Sequence, residues 1–256
     1  MMAKVKYWRC LLVDIIEGRN PVFELLRGGR RVKKIFIAKG IKENEVIKKI
    51  KVLAKRKGVP IEVVLKEKIE SHSHIETHQG IIAYAEDFEY QPLVDFLAKV
   101  NKTSEAMVLI LDEVTDPQNF GSLIRSAEAC GVDGIIISKK RSVGITPVVC
   151  KISAGAIEHV SIIQVSNLVQ AVERLKENGF WIFGADASAE KKYYDADLAG
   201  KLCIVLGGED KGIARLLLEK CDFLIKIPMF GKVNSLNVAV AGAILMCEAR
   251  RQRIRG

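Results

Sequence analysis

Residues 227–243, IPMFGKVNSLNVAVAGA, begin as the end of an apolar strand and finish as a helix of small side chains. The bend between them is polar, and Ser235 is the expected N-cap of the helix that follows. The other residues of the bend are Gly231, Lys232, Asn234 and Asn237. Small residues would let the helix backbone pack closely against a neighbour: Ala239, Ala241, Gly242 and Ala243. Taken singly, these residues most commonly mean an ordinary loop and a core helix.

Apolar runs alternate with helical stretches through the chain before this bend. The apolar runs are AMVLILDEV, DGIIIS, FWIFGADA, LCIVLGGED and FLIKIPM, and a typical helical stretch is NLVQAVERLKENG. Near-continuous apolar strands separated by helices are typical of a parallel sheet that is covered on both faces. In such sheets ligands bind at the carboxyl ends of the strands, so the turns after the strands are the candidate site.

Two of those turns carry unusual residues. In DPQNFGSLIRSAEACG, residues 116–131, Asn119 is a candidate helix cap, and Gly121 permits close approach of a ligand or of backbone. Arg125 lies near an apolar helix face, where it needs a partner or a function; otherwise it is a surface residue. In LGGEDKG, residues 206–212, paired glycines precede Glu209, which indicates either a loop that approaches a ligand or a tight turn.

The first hundred residues carry most of the positive charge. They hold 20 Lys and Arg and 13 Asp and Glu, which gives a net charge of +7, whereas the whole chain of 256 residues has a net charge of +9. Residues 19–57 hold 14 basic residues and 3 acidic ones. Such a surface can bind phosphates or an acidic membrane, or it can simply be the solvated face of a helix. Because the basic residues are concentrated in one part of the chain, we favour nucleic acid as the partner.

A small α/β domain is predicted before the parallel sheet. The helix RNPVFELLRGG, with Asn20 as its N-cap and Gly28 and Gly29 at its end, precedes the strand KKIFIAK, the basic helix NEVIKKIKVLAKRKG and the strand IEVVLK. A short helix and the strand GIIAYAEDFEY complete it. We predict an N-terminal domain over residues 1–87, a linker with a short helix over 88–104, and the parallel-sheet domain over 105–256.

Cysteine usage and hydropathy indicate a cytoplasmic protein without a membrane span. The six cysteines occur singly in apolar contexts, as expected of buried thiols in a reducing compartment. The longest apolar run, VAVAGAILMC, is half the length of a span, and the N-terminus lacks a signal-peptide pattern. His72, His74 and His78 are close in sequence, but they lack a recognised zinc spacing, so no metal site is predicted; His159 is interpreted as structural.

The three turns, in the order DPQNFGSLIRSAEACG, LGGEDKG and IPMFGKVNSLNVAVAGA, resemble the motifs of the SpoU/TrmH family of RNA ribose 2′-O-methyltransferases. The N-terminal EGRNPVFELLRGG and HQGIIA are similar to the RNA-binding extension of members that methylate a guanosine of bacterial 23S ribosomal RNA. The resemblance therefore spans nearly the whole chain. It departs at Asp210, where many relatives have Gly after the glutamate, and at Ala239, where many have Ser.

This resemblance implies S-adenosylmethionine as methyl donor, a homodimer, and a catalytic α/β/α domain whose C-terminal segment forms a trefoil knot. The implied catalytic residues are Asn119, Arg125, Glu209, Ser235 and Asn237. The implied donor-binding residues are Leu206, Gly207, Gly208, Ile227, Met229, Ser235 and Leu236. The implied RNA-binding residues are Arg19, Asn20, Arg30, Arg31 and Lys33. Transfer from a sulfonium requires no metal.

The role of Arg125 stays open between two readings. The family's mechanism makes it the acceptor of the ribose proton, but a guanidinium seldom deprotonates. Alternatively, Arg125 holds the target phosphate and stabilises the developing alkoxide, with its side chain oriented by Glu209.

The substrate is predicted to be a guanosine of 23S ribosomal RNA, with transfer RNA or another ribosomal site as the alternative. A non-catalytic ribosome assembly factor also fits the basic domain, but it should have lost the motif residues, which are present. A nucleotide-dependent oxidoreductase would need a dinucleotide fingerprint, which is missing.

Overall fold

The computed structural model describes residues 14–73, 77–209 and 211–255, and it divides into two compact units, residues 1–89 and 90–256. Cys10, His74 and Asp210, which enter the sequence predictions, lie outside the described residues.

The N-terminal unit is a four-stranded mixed sheet with three helices. Its elements are β1 (Asp14–Glu17), α1 (Arg19–Arg27), β2 (Val32–Ala38), α2 (Glu45–Lys57), β3 (Ile61–Val64), α3 (Lys66–Glu70) and β4 (Ile81–Ala85). The strand order is β1-β4-β2-β3, with β2 and β3 parallel and β4 antiparallel to both of its neighbours. The predicted small α/β fold is confirmed, although β1, only four residues long, was not predicted from the sequence.

Helix α1 begins earlier than its sequence pattern predicts. Asn20 is not the N-cap: the helix starts at Arg19, Gly18 precedes it with φ of +103°, and the Gly18 carbonyl accepts from the Val22 amide at 3.1 Å. Only glycine adopts such a backbone readily, so the chain turns at Gly18 and leaves Asn20 in the first turn, exposed to solvent. Helix α2 agrees with its pattern, because Asn44 caps it by accepting from the Ile47 amide, and it ends at Gly58.

The second unit is built around a seven-stranded sheet in which every pairing is parallel. Its elements are α4 (Leu93–Val100), β5 (Ala106–Asp112), α5 (Pro117–Ala129), β6 (Gly134–Ser138), α6 (Pro147–Ile152), β7 (Ser161–Val165), α7 (Leu168–Glu177), β8 (Trp181–Ala185), β9 (Lys191–Lys192), β10 (Lys201–Gly207), α8 (Arg215–Leu218), β11 (Phe223–Lys226) and α9 (Val238–Arg255). The strand order is β7-β6-β5-β10-β8-β11-β9. The predicted parallel α/β domain is confirmed.

The stretch predicted as a linker, residues 88–104, contains a helix of the second unit. In α4, Phe96, Leu97 and Val100 are buried in one apolar cluster with strands β5, β6 and β10 and with α7. The helix matches its sequence pattern, but its apolar face covers the sheet. The structure thus differs from the predicted linker, because three large side chains on one helix face are buried in the core.

The small residues of α9 permit the close packing that the sequence predicts. A Cβ atom at Gly242 would lie 2.5 Å from Cδ2 of Leu123 in α5 and 2.8 Å from Cδ1 of Leu206 in β10. At Gly121 a Cβ would lie 2.7 Å from Cβ of Ile152. The missing side chain at Gly121 therefore lets helix α6 pack closely against α5, and the space is not open to a ligand. The trefoil knot that the resemblance implies stays a prediction.

The cysteines agree only in part with the prediction of buried thiols. Cys130, Cys150 and Cys203 are buried and Cys221 is half-buried, but Cys247 is exposed on α9, with its Sγ 3.4 Å from Sγ of Cys130. Burial raises the pKa of the Cys130 thiol to about 11. Across the described ranges, no helix combines the length and the apolar character that crossing a membrane requires.

Candidate functional site

Three polar side chains, one from each of the three unusual turns, form a closed triangle of hydrogen bonds. Asn119 donates through Nδ2 to Oε1 of Glu209 at 2.8 Å. Asn237 donates through its own Nδ2 to the same Oε1 and to Oδ1 of Asn119, both at 2.8 Å. Residues 118 positions apart in the chain are thereby joined at the carboxyl ends of β5 and β10.

The polar groups of these residues are divided between the triangle and the helix ends. Oδ1 of Asn237 accepts from the amides of Ala239 and Val240, so Asn237, and not Ser235, caps α9. Asn119 is not the cap of α5 either. Asp116 takes that place by accepting from the Gln118 and Asn119 amides, and Asn119 is a buried residue of the first turn.

Burial of the Asn119 side chain explains why it serves the site and not the helix end. Its amide nitrogen and oxygen both have partners, so its orientation is determined by the triangle. Glu209 uses one oxygen for both amides, and its second oxygen, Oε2, has no hydrogen-bond partner within residues 14–73, 77–209 and 211–255. A carboxylate oxygen of fixed position is therefore available to a ligand.

A cavity of about 190 Å³ lies beside the triangle. Every residue predicted to bind the donor lines it: Leu206, Gly207, Gly208, Ile227, Met229, Ser235 and Leu236. Its walls combine aliphatic side chains with main-chain groups of three loops, and the Asp186 carboxylate also lines it. Apolar walls suit the faces of an adenine ring, while main-chain groups and a carboxylate suit its polar edge and an amino-acid moiety. The lining residues thus fit S-adenosylmethionine.

The paired glycines of this cavity serve contacts between loops. A Cβ at Gly207 would lie 2.0 Å from the carbonyl carbon of Gly212, and one at Gly208 would lie 2.6 Å from the carbonyl oxygen of Glu113. The loop is also held by Asp112, whose buried carboxylate accepts from the Ala214 amide at 2.8 Å. The glycines are required because backbone passes directly beside them, which fits the tight turn that the sequence analysis left open as an alternative.

A second cavity, of about 400 Å³, adjoins the first. The two share Gly208, Glu209 and Val238 in their linings. The second cavity is also lined by Asn119 and by a group of residues that the sequence analysis did not select: Glu113, Val114, Thr115, Asp116, Arg141 and Lys211. Glu209 therefore lies where the two cavities meet, between the predicted donor space and a larger, polar space.

Arg125 is not brought into either cavity. It is exposed on α5, and in the described part of the chain it forms no hydrogen bond or ion pair. The expected orientation of Arg125 by Glu209 is not found, since the Asn119 and Asn237 amides bind that carboxylate. Helix geometry gives the reason: residues six positions apart differ by about 120° around the axis, so Arg125 and Asn119 lie on different faces.

The predicted RNA-binding residues of the first unit differ in exposure, and Nη1 of Arg31 lies 3.6 Å from Oε1 of Glu86. Asn20, Arg31 and Lys33 are exposed, whereas the Arg30 side chain is only 9% exposed and donates to Asp14 at 2.7 Å. Arg30 therefore holds strand β1 and does not present its guanidinium freely. Arg19 is half-buried, and its Nε has no hydrogen-bond partner within the described ranges.

An open cavity of about 780 Å³ lies in the same unit. Its lining includes Lys39, Lys66, His78 and Gln79. Gln79 has φ of +54°, an uncommon value for a residue with a side chain, and its Oε1 accepts from the Arg19 amide at 3.0 Å. His78 is buried, and its Nδ1 accepts from the Gly80 amide. Within the described ranges, no group of three or more His, Cys, Asp or Glu side chains could hold a metal ion.

Comparison with known families matches both units. The SpoU rRNA Methylase family matches residues 106–247, and the family described as RNA 2′-O ribose methyltransferase substrate binding matches residues 15–91. YacO of Bacillus subtilis, whose name places it among TrmH family tRNA/rRNA methyltransferases, is 42% identical over 241 residues, which cover 94% of this chain and 96% of YacO.

Solved structures share the fold over nearly the whole chain. The SpoU methyltransferase AviRb of Streptomyces viridochromogenes, in complex with AdoMet, superimposes with a TM-score of 0.79 at 22% identity, covering 96% of this chain and 92% of AviRb. An AdoMet-bound rRNA methyltransferase of Sinorhizobium meliloti superimposes with a TM-score of 0.78 at 23% identity, covering 94% of this chain and 87% of the Sinorhizobium chain. At these identities the two structures support the fold.

Proposed function

Because the chain belongs to the SpoU/TrmH family of RNA methyltransferases, we propose that it methylates the 2′-hydroxyl of a ribose in structured RNA. The target that we propose is the ribose of a guanosine in 23S ribosomal RNA. The observation that carries the proposal is the position of Glu209, at the junction of the donor cavity and the larger polar cavity. The target ribose occupies the polar cavity, next to the donor.

The methyl donor is S-adenosylmethionine, which when bound supplies an electrophilic methyl group. The aliphatic side chains of Leu206, Ile227 and Leu236 hold its adenine, and the main chain around Gly207 and Met229 binds its polar atoms. Ser235, which is exposed and lines the same cavity, contributes a hydroxyl to this wall.

Glu209 accepts the proton of the 2′-hydroxyl through Oε2. A ribose hydroxyl is weakly acidic, so it needs a positioned base to become a nucleophile. Glu209 supports this role because it lines both cavities, two amides hold its carboxylate through Oε1, and Oε2 has no hydrogen-bond partner among the described residues. A guanidinium is a poor base and Arg125 lies outside both cavities, so we assign Arg125 to a phosphate of the bound RNA and not to proton transfer.

The Glu209→Gln variant tests this assignment with little change of shape. Glutamine keeps an oxygen that accepts from both Asn119 and Asn237, so the triangle survives, but it lacks the basic oxygen. We expect kcat to fall by about a hundredfold or more, with the affinity for S-adenosylmethionine nearly unchanged. A variant with wild-type kcat would remove Glu209 from proton transfer.

The N-terminal unit selects the RNA, and the protein acts in the cytoplasm. Support comes from the basic character of the first hundred residues and from the match of residues 15–91 to a substrate-binding family. Arg31 and Lys33 are exposed on the unit, and Arg19 and Asn20 begin α1 beside Gln79. These side chains are placed to bind phosphates.

We assign a homodimer to the second unit, in which the segment 227–237 and α9 also form the predicted knot. Large apolar side chains are exposed in this stretch: Phe230 at 96%, Val233 at 69% and Val240 at 48%. Exposed side chains of this size mark an interface when they are close together. The Phe230→Asp variant should dissociate the dimer in sedimentation equilibrium; a wild-type protein that sediments as a monomer would contradict the assignment.

The activity is tested by incubating the protein with tritiated S-adenosylmethionine and unmodified transcripts of 23S ribosomal RNA and of transfer RNAs. We expect label in 23S ribosomal RNA and, after digestion, 2′-O-methylguanosine. Label in transfer RNA would support the alternative substrate, which the name of YacO also allows. Label in the base and not the ribose would overturn ribose methylation, and no label in any RNA would favour a non-catalytic assembly role.

A further inference from the structure

The larger cavity is lined by two cations and a carboxylate that were not among the predicted site residues. We propose that Arg141 and Lys211, held by Glu113, form a phosphate site for the RNA strand next to the target ribose. The inference rests on the proposed function, because it concerns the RNA that enters this cavity. All three residues line it together with Asn119 and Glu209.

One carboxylate connects the two cations. Arg141 donates through Nη1 to Oε1 of Glu113 at 2.7 Å, and Nζ of Lys211 lies 3.9 Å from Oε2 of the same residue. The cations are open to solvent, with side chains 77% and 83% exposed, whereas the Glu113 side chain is 24% exposed. Glu113 therefore lies beneath the cations, and their outer faces point to the solvent side.

Arg141 keeps donors for a ligand. Its bond to Glu113 uses Nη1, and in the described ranges no other hydrogen bond of this side chain is found. Nε and Nη2 remain available, and two parallel N–H groups of a guanidinium match two oxygens of a phosphate. The loop adds charge, since Lys139 and Lys140 immediately before it are exposed.

The backbone at this place is unusual in both partners. Glu113 has φ of +57° and Arg141 has φ of +64°, a region that residues with a side chain seldom adopt. Their loops are joined, because the Val143 amide donates to the Val114 carbonyl at 3.1 Å, and Gly208 passes beside the Glu113 carbonyl. Uncommon backbone that surrounding contacts maintain is typical of functional sites, here of a site that aims one ion pair at the cavity mouth.

Phosphate is the ligand that this arrangement favours. The lining holds two further carboxylates, and both already accept hydrogen bonds: Asp116 from two amides at the start of α5, and Glu209 from the Asn119 and Asn237 side chains. Arg141 and Lys211 share the single carboxylate of Glu113, so this exposed group of three keeps one net positive charge, and Lys139 and Lys140 add to it. The RNA backbone complements such a charge. The alternative is that the Arg141–Glu113 pair only closes two loops and that the Glu113 charge repels RNA. Loss of this charge should then strengthen RNA binding, whereas it should weaken binding if Glu113 orients Arg141 toward a phosphate.

The experiment compares RNA binding by Arg141→Ala, Glu113→Gln and the control Lys220→Ala. Lys220 is paired with Glu173 at 2.7 Å, as Arg141 is with Glu113, but it does not line the cavity. Binding to the 23S ribosomal RNA transcript, or to a transfer RNA transcript if that one accepts the methyl group, is measured at several salt concentrations, with S-adenosylmethionine affinity as the measure of correct folding.

We expect Arg141→Ala to weaken RNA binding on the order of tenfold and to reduce the slope of log affinity against log salt by about 0.7 to 0.9, the value for one phosphate contact. KM for RNA should rise more than kcat falls. Glu113→Gln should also weaken binding, although it removes a negative charge, because Arg141 loses its orientation. Lys220→Ala should leave the KM for RNA and the kcat unchanged.

An unchanged salt slope in Arg141→Ala, with an active wild type, overturns the phosphate site. Stronger RNA binding by Glu113→Gln likewise shows that Glu113 only repels RNA. If the wild type transfers no methyl group, the proposed function fails, whereas the salt slope still decides whether Arg141 contacts phosphate.

Discussion

Asn119 and Asn237 lie 118 positions apart in the chain and share a hydrogen bond of 2.8 Å, and both donate to the same oxygen of Glu209. Each belongs to a different helix start, and Glu209 follows a strand. The arrangement couples folding to the site, because α5, β10 and α9 must all be in place before the carboxylate is held.

Asn237 has two functions that substitution can separate. Asn237→Ala removes both the cap of α9 and the triangle, so we expect the free energy of unfolding to fall by about 1 kcal/mol and kcat to fall strongly. Asn237→Ser retains a capping oxygen but not the amide donors, so stability should stay near wild type while kcat falls. Urea denaturation and methyl transfer measure the two effects; equal loss of stability in both variants would contradict the assignment.

Arg125 offers a test that stability does not confound. Its side chain is exposed and has no partner among the described residues, so Arg125→Ala should unfold like the wild type. We expect turnover at limiting RNA to fall on the order of tenfold to a hundredfold, the effect of losing one charge-assisted contact to an RNA phosphate, with donor affinity unchanged. Arg125→Lys should recover little if the planar group binds phosphate, and full recovery would show that charge alone suffices. Full activity of the alanine variant would show that Arg125 is a surface residue without a role in the reaction.

Gly207 should tolerate no side chain. A Cβ atom would lie 2.0 to 2.3 Å from the backbone of Gly212 and Ile213, so Gly207→Ala must displace the loop that lines the donor cavity. We expect calorimetry to show a large loss of affinity for S-adenosylmethionine. Gly231→Ala is the matched control, since no atom outside its neighbours lies within 4 Å of its Cβ position. Wild-type affinity in Gly207→Ala would place the donor elsewhere.

Removal of residues 1–89 should separate donor binding from RNA selection. The fragment 90–256 keeps α4, whose Phe96, Leu97 and Val100 are in the core, whereas a fragment beginning at residue 103 would lack them and should be less stable. We expect the longer fragment to bind S-adenosylmethionine and to lose selective methylation of RNA. Circular dichroism provides the folding control, and unchanged methylation efficiency would refute the role of the first unit.

The periodic features of this protein were determined by its sequence alone. Apolar runs predicted the parallel strands, the basic stretch of residues 44–58 predicted α2, and the small residues of α9 predicted its close packing. These features depend on interactions between residues near in sequence, or on one face of an element, so a local pattern contains them. The three turns that meet at the site were also recognised, because each follows a strand end.

Only the tertiary structure decided what the polar side chains do. The sequence predicted Asn119 and Ser235 as helix caps and, in one of two readings, Arg125 as the partner of Glu209. In the folded chain Asp116 and Asn237 cap the helices, and the two asparagines bind Glu209. The ion pair of Glu113 and Arg141 was not predicted at all. An amide or a carboxylate can bind many partners, and the choice depends on which elements the fold brings within about 3 Å, a distance that local sequence does not encode.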